Sequence, residues 1–380
     1  MPFYNRIYGG FFLLFTILGC SISKSEQDVV SLPPNQAKNV VLMIGDGMGL
    51  NQITAAMYNN GNYLNLEKFP VIGFHKSYSA NDLITDSAAG ATAFACGVKT
   101  YNNAIGLTAD SIPCKTILEE AEERGLATGL VATATIVHAT PAAFIAHQKL
   151  RVFYEDIAAD ILKTDVDLLI GGGKKYFDRR ENDDRNLYKE LEKKGYRVSD
   201  YSIRPFEEFL PDKRKNMVYF TSDNLPVPVT AGRDYLPRAS QMAVNFLEKR
   251  SEKGFFLMIE GSQIDWSGHA NEGNLLVQEV LDFDKAIKEV LNFARKDGNT
   301  LVIVTADHET GGMSINQGSK MGELNYQFTT NAHTGTLIPV FAYGPGASLF
   351  SGIYENTAIY DKMRQAFAFD LIQEEVTPSN

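Results

Sequence analysis

The chain has no positive charge to spare: 36 lysines and arginines against 46 aspartates and glutamates leave a formal net charge of −10 over 380 residues. Without a general basic field to neutralise a phosphate backbone, nucleic-acid binding is disfavoured and small substrates remain open. Cysteine is scarce as well. Of the three, Cys20 ends an apolar leader, and neither Cys96 nor Cys114 has CxxC or CxxxH spacing, so no zinc finger or redox motif is indicated. The sequence leaves open whether Cys96 and Cys114 pair, because a disulfide depends on spatial approach. There is no internal repeat, and no run after the leader offers the roughly 20 apolar residues of a membrane-spanning helix. With 44% hydrophobic and 22% charged residues, the composition is that of an ordinary globular protein long enough to bury a sizeable core. Disorder and coiled coil are set aside.

What is present begins with the leader. Arg6 precedes the apolar run Phe11-Phe12-Leu13-Leu14-Phe15-Thr16-Ile17-Leu18 and then Gly19-Cys20. The run is too short to span a bilayer comfortably, and residues 1–19 read as a signal peptide. Ile17-Leu18-Gly19-Cys20 resembles the lipobox of bacterial lipoproteins, which implies a lipid anchor at Cys20. An ordinary cleavage site is the competing reading, but the mostly polar stretch Ser21–Asp28 suits a tether over 20–36 better. The expectation is an exported protein, periplasmic or at the cell surface, with one globular domain over 37–380.

Within that domain, Lys38–Ile44 is an apolar run ending at Gly45-Asp46-Gly47, the pattern of a buried parallel strand stopping at a loop. Similar runs are Gly129–Ala134, Val166–Ile170, Phe255–Ile259, Leu301–Val304 and Leu337–Ala342. Plausible helices lie between them: Thr116–Arg124, Phe153–Leu162, Ser240–Lys249 and Leu275–Arg295. The alternation predicts a layered α/β fold with a mostly parallel central sheet. The stretch 174–238, richer in charge, proline and turn residues, reads as a peripheral insertion.

Polar residues recur at the C-terminal ends of these strands, where open α/β sheets place their sites. Asp46 follows the first, Glu260 and Asp265 follow Phe255–Ile259, and Asp307-His308 follow Leu301–Val304. A lone Asp after a strand is usually a cap or turn former; recurrence is the signal. Four of the six histidines, His138, His269, His308 and His333, lie in such places. Carboxylates mixed with imidazoles suit zinc, while all-oxygen groups such as Asp46, Thr140 and Glu260 suit magnesium. Asp265 and His269, four apart, would share a helical face and reach one metal. The remaining piece is Thr85-Asp86-Ser87 followed by a run of tiny residues, which would let a helix pack closely with its N-terminus toward an anion. Asp86 or Ser87 acting only as a cap is the plain alternative.

Asp86-Ser87-Ala88-Ala89-Gly90-Ala91-Thr92-Ala93, followed by Gly97-Val98-Lys99-Thr100-Tyr101-Asn102, resembles the nucleophile segment of alkaline phosphatases. Ile44-Gly45-Asp46-Gly47-Met48-Gly49 resembles their first metal-binding loop. His138-Ala139-Thr140-Pro141, Glu260-Gly261-Ser262-Gln263-Ile264-Asp265-Trp266 through His269, Thr305–Gly312 and His333-Thr334-Gly335 agree in order and spacing. The resemblance implies an α/β/α sandwich hydrolysing small phosphate monoesters to inorganic phosphate, with two zinc ions and one magnesium ion per chain, and it suggests a homodimer. It places Asp265, His269 and His333 on one zinc, and Asp46, Asp307 and His308 on the second beside the nucleophile Ser87. Asp46, Thr140 and Glu260 fall to magnesium, and Arg151 to the phosphate. His138 and Trp266 stand where better-known bacterial members carry Asp and Lys. This is expected to weaken magnesium binding and phosphate retention, and to open a direct approach of His138 to the third metal. Ser87 lacks the CxPxR or SxPxR context of a sulfatase. Thr140, Glu260 and the Asp86-Ser87-Ala88 segment favour a monoesterase over a phosphodiesterase or phosphomutase on the same scaffold, and a non-catalytic metal or phosphate binder is a weaker reading because every proposed ligand and the nucleophile are present.

Overall fold

Strand β1, Asn39–Gly45, is buried along its whole length. Val40, Leu42 and Ile44 face one hydrophobic layer, and Val41 and Met43 face the other. A continuous apolar run is what a strand covered on both faces requires. The computed structural model describes residues 1–3 and 36–369. The chain divides into a short N-terminal unit, Met1–Ser31, and a body, Leu32–Asn380. The expected signal peptide, Cys20 and the tether up to residue 35 lie outside the described residues, apart from residues 1–3. Among the described residues no helix is long and apolar enough to cross a membrane.

The strands that follow are β2 (Val71–Lys76), β3 (Ala127–Thr135), β4 (Leu168–Gly172), β5 (Arg197–Asp200), β6 (Met217–Phe220), β7 (Phe255–Gly261) and β8 (Thr300–Thr305). After them come β9 (Glu309–Thr310), β10 (Met313–Ile315), β11 (Tyr326–Phe328), β12 (His333–Thr334), β13 (Leu337–Tyr343) and β14 (Gly352–Glu355). Ten form one sheet in the order β14-β2-β13-β8-β1-β7-β3-β4-β6-β5. Every neighbouring pair is parallel except the two that β13 makes, with β2 and β8. Segment 174–238 supplies β5 and β6, so part of it continues the sheet at one edge.

Helices cover both faces. Ser87–Cys96, Ile117–Glu123, Tyr154–Ile161 and Ala358–Ala366 pack into one core, while Leu50–Asn59, Tyr235–Leu247 and the long Gly273–Asp297 pack into the other. Each fully buried Leu, Ile or Phe contributes about 1.5–3 kcal/mol relative to exposure. The layered, mostly parallel α/β architecture expected from the sequence is the one observed.

The five central strands β13, β8, β1, β7 and β3 are consecutive neighbours. The parallel four all end at one edge of the sheet. Because β13 runs the other way, its start lies at that same edge. The residues just after β8, β1, β7 and β3 and just before β13 therefore meet there, which is why motifs far apart in sequence converge.

Candidate active site

Asp265 and His269 sit on the short helix Gln263–His269, one turn apart, with His269 Nε2 3.3 Å from Asp265 Oδ1. His333 is in β12, which pairs antiparallel with β9, and its Nε2 lies 3.5 Å from the same oxygen. His269 Nδ1–H donates to the Asn331 carbonyl at 2.7 Å and His333 Nδ1–H to the Thr85 carbonyl at 2.8 Å. Carbonyls only accept, so both tautomers are set and both Nε2 lone pairs face inward, 3.1 Å apart. Three acceptors converging on one point need a cation or a proton between them. The hydrogen bond with Asp265 lifts His269 to about 9. Burial would raise Asp265, but its bonds with His269 and His333 outweigh that and hold it well below the usual carboxylate range.

A second group shares its wall. Asp46, at the end of β1, and Asp307 and His308, after β8, are all buried. Gly47 N–H and His308 N–H donate to Asp307 Oδ1. Asp307 Oδ2 has no hydrogen-bond donor and lies 3.2 Å from His308 Nε2, with Asp46 Oδ1 3.5 Å from the same nitrogen. Thr310 explains the tautomer. Its single hydroxyl proton goes to Asp265 Oδ1 at 2.5 Å, so at 3.2 Å it can only accept from His308 Nδ1–H, leaving the Nε2 lone pair toward the carboxylates. Burial lowers the His308 pKa and keeps the ring neutral. Thr310 thus ties the two groups together, a role that its place in the Thr305–Gly312 motif gave no means of seeing.

The third group joins Asp46 to Glu260, the penultimate residue of β7, and to His138, after β3; one ligand atom from each lies within 4.8 Å of the others. His138, for which the sequence suggested a direct approach to the third metal, lies within ligand reach of that site. Thr140 is buried nearby in sequence, and its Oγ1, both Glu260 oxygens and His138 Nδ1 have no hydrogen-bond partner. Unsatisfied buried polar atoms of this kind cost several kcal/mol each unless something binds them. Burial pushes Glu260 up to about 7 and His138 down to about 3. Burial, with Asp307, Asp265 and Glu260 crowded around it, also holds Asp46 well above its usual range against the pull of Arg151. The donor sets fit divalent cations: mixed imidazole and carboxylate in the first two groups, and oxygens plus one imidazole in the third. Trp266 packs edge-on against His138, ring centroids 5.8 Å apart.

Ser87 is the first residue of the helix Ser87–Cys96, and Asp86 is its cap, accepting from Ala89 N–H at 3.0 Å. The cap role falls to Asp86 and leaves the serine hydroxyl free to turn inward. Ser87 Oγ lies 3.5 Å from both Asp46 oxygens and 3.2 Å from His308 Nε2. The tiny residues behind it let this helix approach β8's end: a Cβ on Gly90 would sit 3.1 Å from that of Asp307. Arg151 Nη1 donates to Asp86 Oδ2 at 3.1 Å, and its charge lowers the proton affinity of Asp46 and Glu260. Asp46, Ser87, His138, Glu260, Asp265, His269, Asp307, His308 and His333 meet in this constellation, Arg151 bonds to Asp86 beside it and Trp266 packs on His138, with Thr140 two residues beyond His138. Cys96 and Cys114 are free thiols, Cys96 Sγ donating to the Cys114 carbonyl at 3.4 Å.

A mostly parallel sheet with carboxylates and imidazoles gathered at one edge around a helix-borne serine has the form of an α/β metallohydrolase. The alkaline phosphatase family model matches residues 37–326. Alkaline phosphatase 3 of Bacillus subtilis is 33% identical over an alignment of 425 residues covering 89% of this chain and 90% of the relative. The alkaline phosphatase of Escherichia coli is 32% identical over 88% of this chain and 87% of its own length. Among solved structures, alkaline phosphatase from the Antarctic bacterium TAB5 matches with a TM-score of 0.82 at 42% identity, covering 89% of this chain and 99% of that one. A histidine-to-aspartate mutant of that enzyme has Mg bound in its M3 site. The chain belongs to the alkaline phosphatase family.

Proposed function

We propose that the protein is an alkaline phosphatase that hydrolyses phosphate monoesters through a phosphoserine on Ser87, with two zinc ions and one magnesium ion. The observation that carries this reading is the position of Ser87 Oγ, 3.2–3.5 Å from ligand atoms of Asp46 and His308 at the start of a helix. When bound, the three ions supply the positive charge that a phosphate dianion and an attacking oxygen need in order to meet, and they ease proton loss from the nucleophile. The helix start adds N–H groups aimed at an anion. Arg151, oriented by Asp86, holds two phosphate oxygens. Ser87 Oγ bonds to phosphorus as the ester bond breaks and the alcohol leaves; water then cleaves the phosphoserine, giving inorganic phosphate and free Ser87. His138 in the third group shifts that site toward zinc or a transition metal and weakens its hold on magnesium, so excess magnesium is needed for full rate.

Export, anchoring through a diacylated Cys20 and assembly as a homodimer belong to the same proposal. The first two are supported by Ile17-Leu18-Gly19-Cys20 and the polar stretch behind it, the third by the family resemblance. The deciding experiment is turnover of a chromogenic phosphate monoester beside the matching diester. Activity on the monoester that is lost on chelation and restored by zinc with magnesium is expected. Activity indifferent to chelation, or a faster rate on the diester, would overturn the reading.

A further inference from the structure

Between the serine helix and Arg151 the chain folds back on itself. Ile105 N–H donates to the Gln148 carbonyl at 2.9 Å, and Gln148 N–H returns a bond to Ile105 at 3.0 Å. Gly106 approaches the neighbouring turn so closely that a Cβ on it would lie 2.2 Å from the Ala146 carbonyl oxygen. Two residues before Ile105, the Asn103 carbonyl accepts from Arg151 N–H at 2.8 Å. The N–H of the same Asn103 donates at 3.0 Å to Asp86 Oδ2, the very oxygen that accepts from Arg151 Nη1. One peptide unit on each side of Asn103 therefore fixes both members of the Asp86–Arg151 pair: one orients the carboxylate, the other the backbone that bears the guanidinium.

This double contact demands an unusual backbone. Asn103 has φ 79°, in the left-handed region that most side chains disfavour and that asparagine and glycine tolerate. The residue is exposed, so its contribution is conformational rather than a matter of packing. Asp86 is in turn steadied by its own N–H donating to Asn102 Oδ1 at 3.1 Å.

We propose that Asn103 is a positioning residue for phosphate: its left-handed backbone sets the Asp86–Arg151 pair, and with it the guanidinium that receives the substrate's phosphoryl oxygens. This rests on reading Arg151 as the phosphate-holding residue. The hydrogen bonds of Asn103 go to Asp86 and Arg151 rather than to the metal-binding groups or Ser87, so disturbing its backbone separates phosphate affinity from metal content.

The test compares Asn103→Gly, Asn103→Ala, Asn103→Val and Arg151→Ala in the metal-loaded enzyme. The measurements are the inhibition constant of inorganic phosphate, KM and kcat for a monoester, and zinc content. Asn103→Gly is expected to stay within about twofold of the parent, while alanine and valine raise the phosphate constant and KM about fivefold or more with zinc unchanged. Arg151→Ala should raise both further. If valine prevents folding, alanine, with its smaller strain, still decides. Alanine and valine variants that bind phosphate like the glycine variant would overturn the role of Asn103 while leaving Arg151 intact. An unchanged phosphate constant in Arg151→Ala would remove the reading of Arg151 and this inference with it.

Discussion

Thr310→Val replaces one buried hydroxyl by a methyl of similar shape, and its effect follows from two bonds. The hydroxyl donates to Asp265 Oδ1 and accepts from His308 Nδ1–H, so its loss removes a partner from a ligand in each of the first two groups and frees the His308 tautomer. A hydrogen bond to a charged group is worth about 1.5–3 kcal/mol. At about 1.4 kcal/mol per tenfold, zinc affinity should fall roughly 10- to 100-fold, the range typical of groups that orient metal ligands. Competition against a chromophoric chelator at fixed pH reads this directly, with circular dichroism confirming the fold. Zinc binding within about twofold of the parent protein would refute the tie that Thr310 is argued to make.

His333→Ala should lose one zinc per chain by metal analysis and lower the thermal midpoint, because metal binding adds its free energy to the folded state. The double variant His138→Asp with Trp266→Lys should bind magnesium more tightly and be inhibited more strongly by phosphate, since a carboxylate is a harder ligand and an ammonium adds a charge facing the anion. Titration calorimetry and inhibition kinetics check the two halves. Burial raises Glu122 to about 7 from 4.5, so the fold retains a proton there that the unfolded chain loses first. Its contribution to stability is present below pH 4.5 and is lost as pH rises toward about 7. Glu122→Gln should flatten the stability profile in that window, as followed by denaturant midpoints.

Much of the fold was readable because buried parallel strands leave continuous apolar runs: β1, β7 and β8 appear within two residues of where the sequence put them. Helix Tyr235–Leu247 begins five residues before the expected Ser240, because Pro237 falls in the first turn, where a missing N–H costs nothing. β5, Arg197–Asp200, has neither an apolar run nor an alternating pattern, so an edge strand was hidden inside a segment read by its charge. β2 alternates buried and exposed positions, but Gly73 and His75 interrupt the apolar signal. The candidate site was legible through residues whose chemistry is distinctive. What stayed hidden acts through geometry: Thr310 by directing one proton, Asn103 by a positive φ, and Glu309 by accepting from Gln52, Gly312, Met313 and Thr334, which braces the strand of His333. Such roles depend on tertiary neighbours that no local pattern encodes.

The most direct test is to trap the covalent species. The metal-loaded enzyme is incubated with inorganic phosphate or a monoester, quenched in acid, digested and analysed by mass spectrometry. A phosphoryl group on Ser87, absent from Ser87→Ala, is the expected result. A phosphoryl group on another residue, or covalent labelling that persists in Ser87→Ala, would contradict the assignment of Ser87 as the nucleophile.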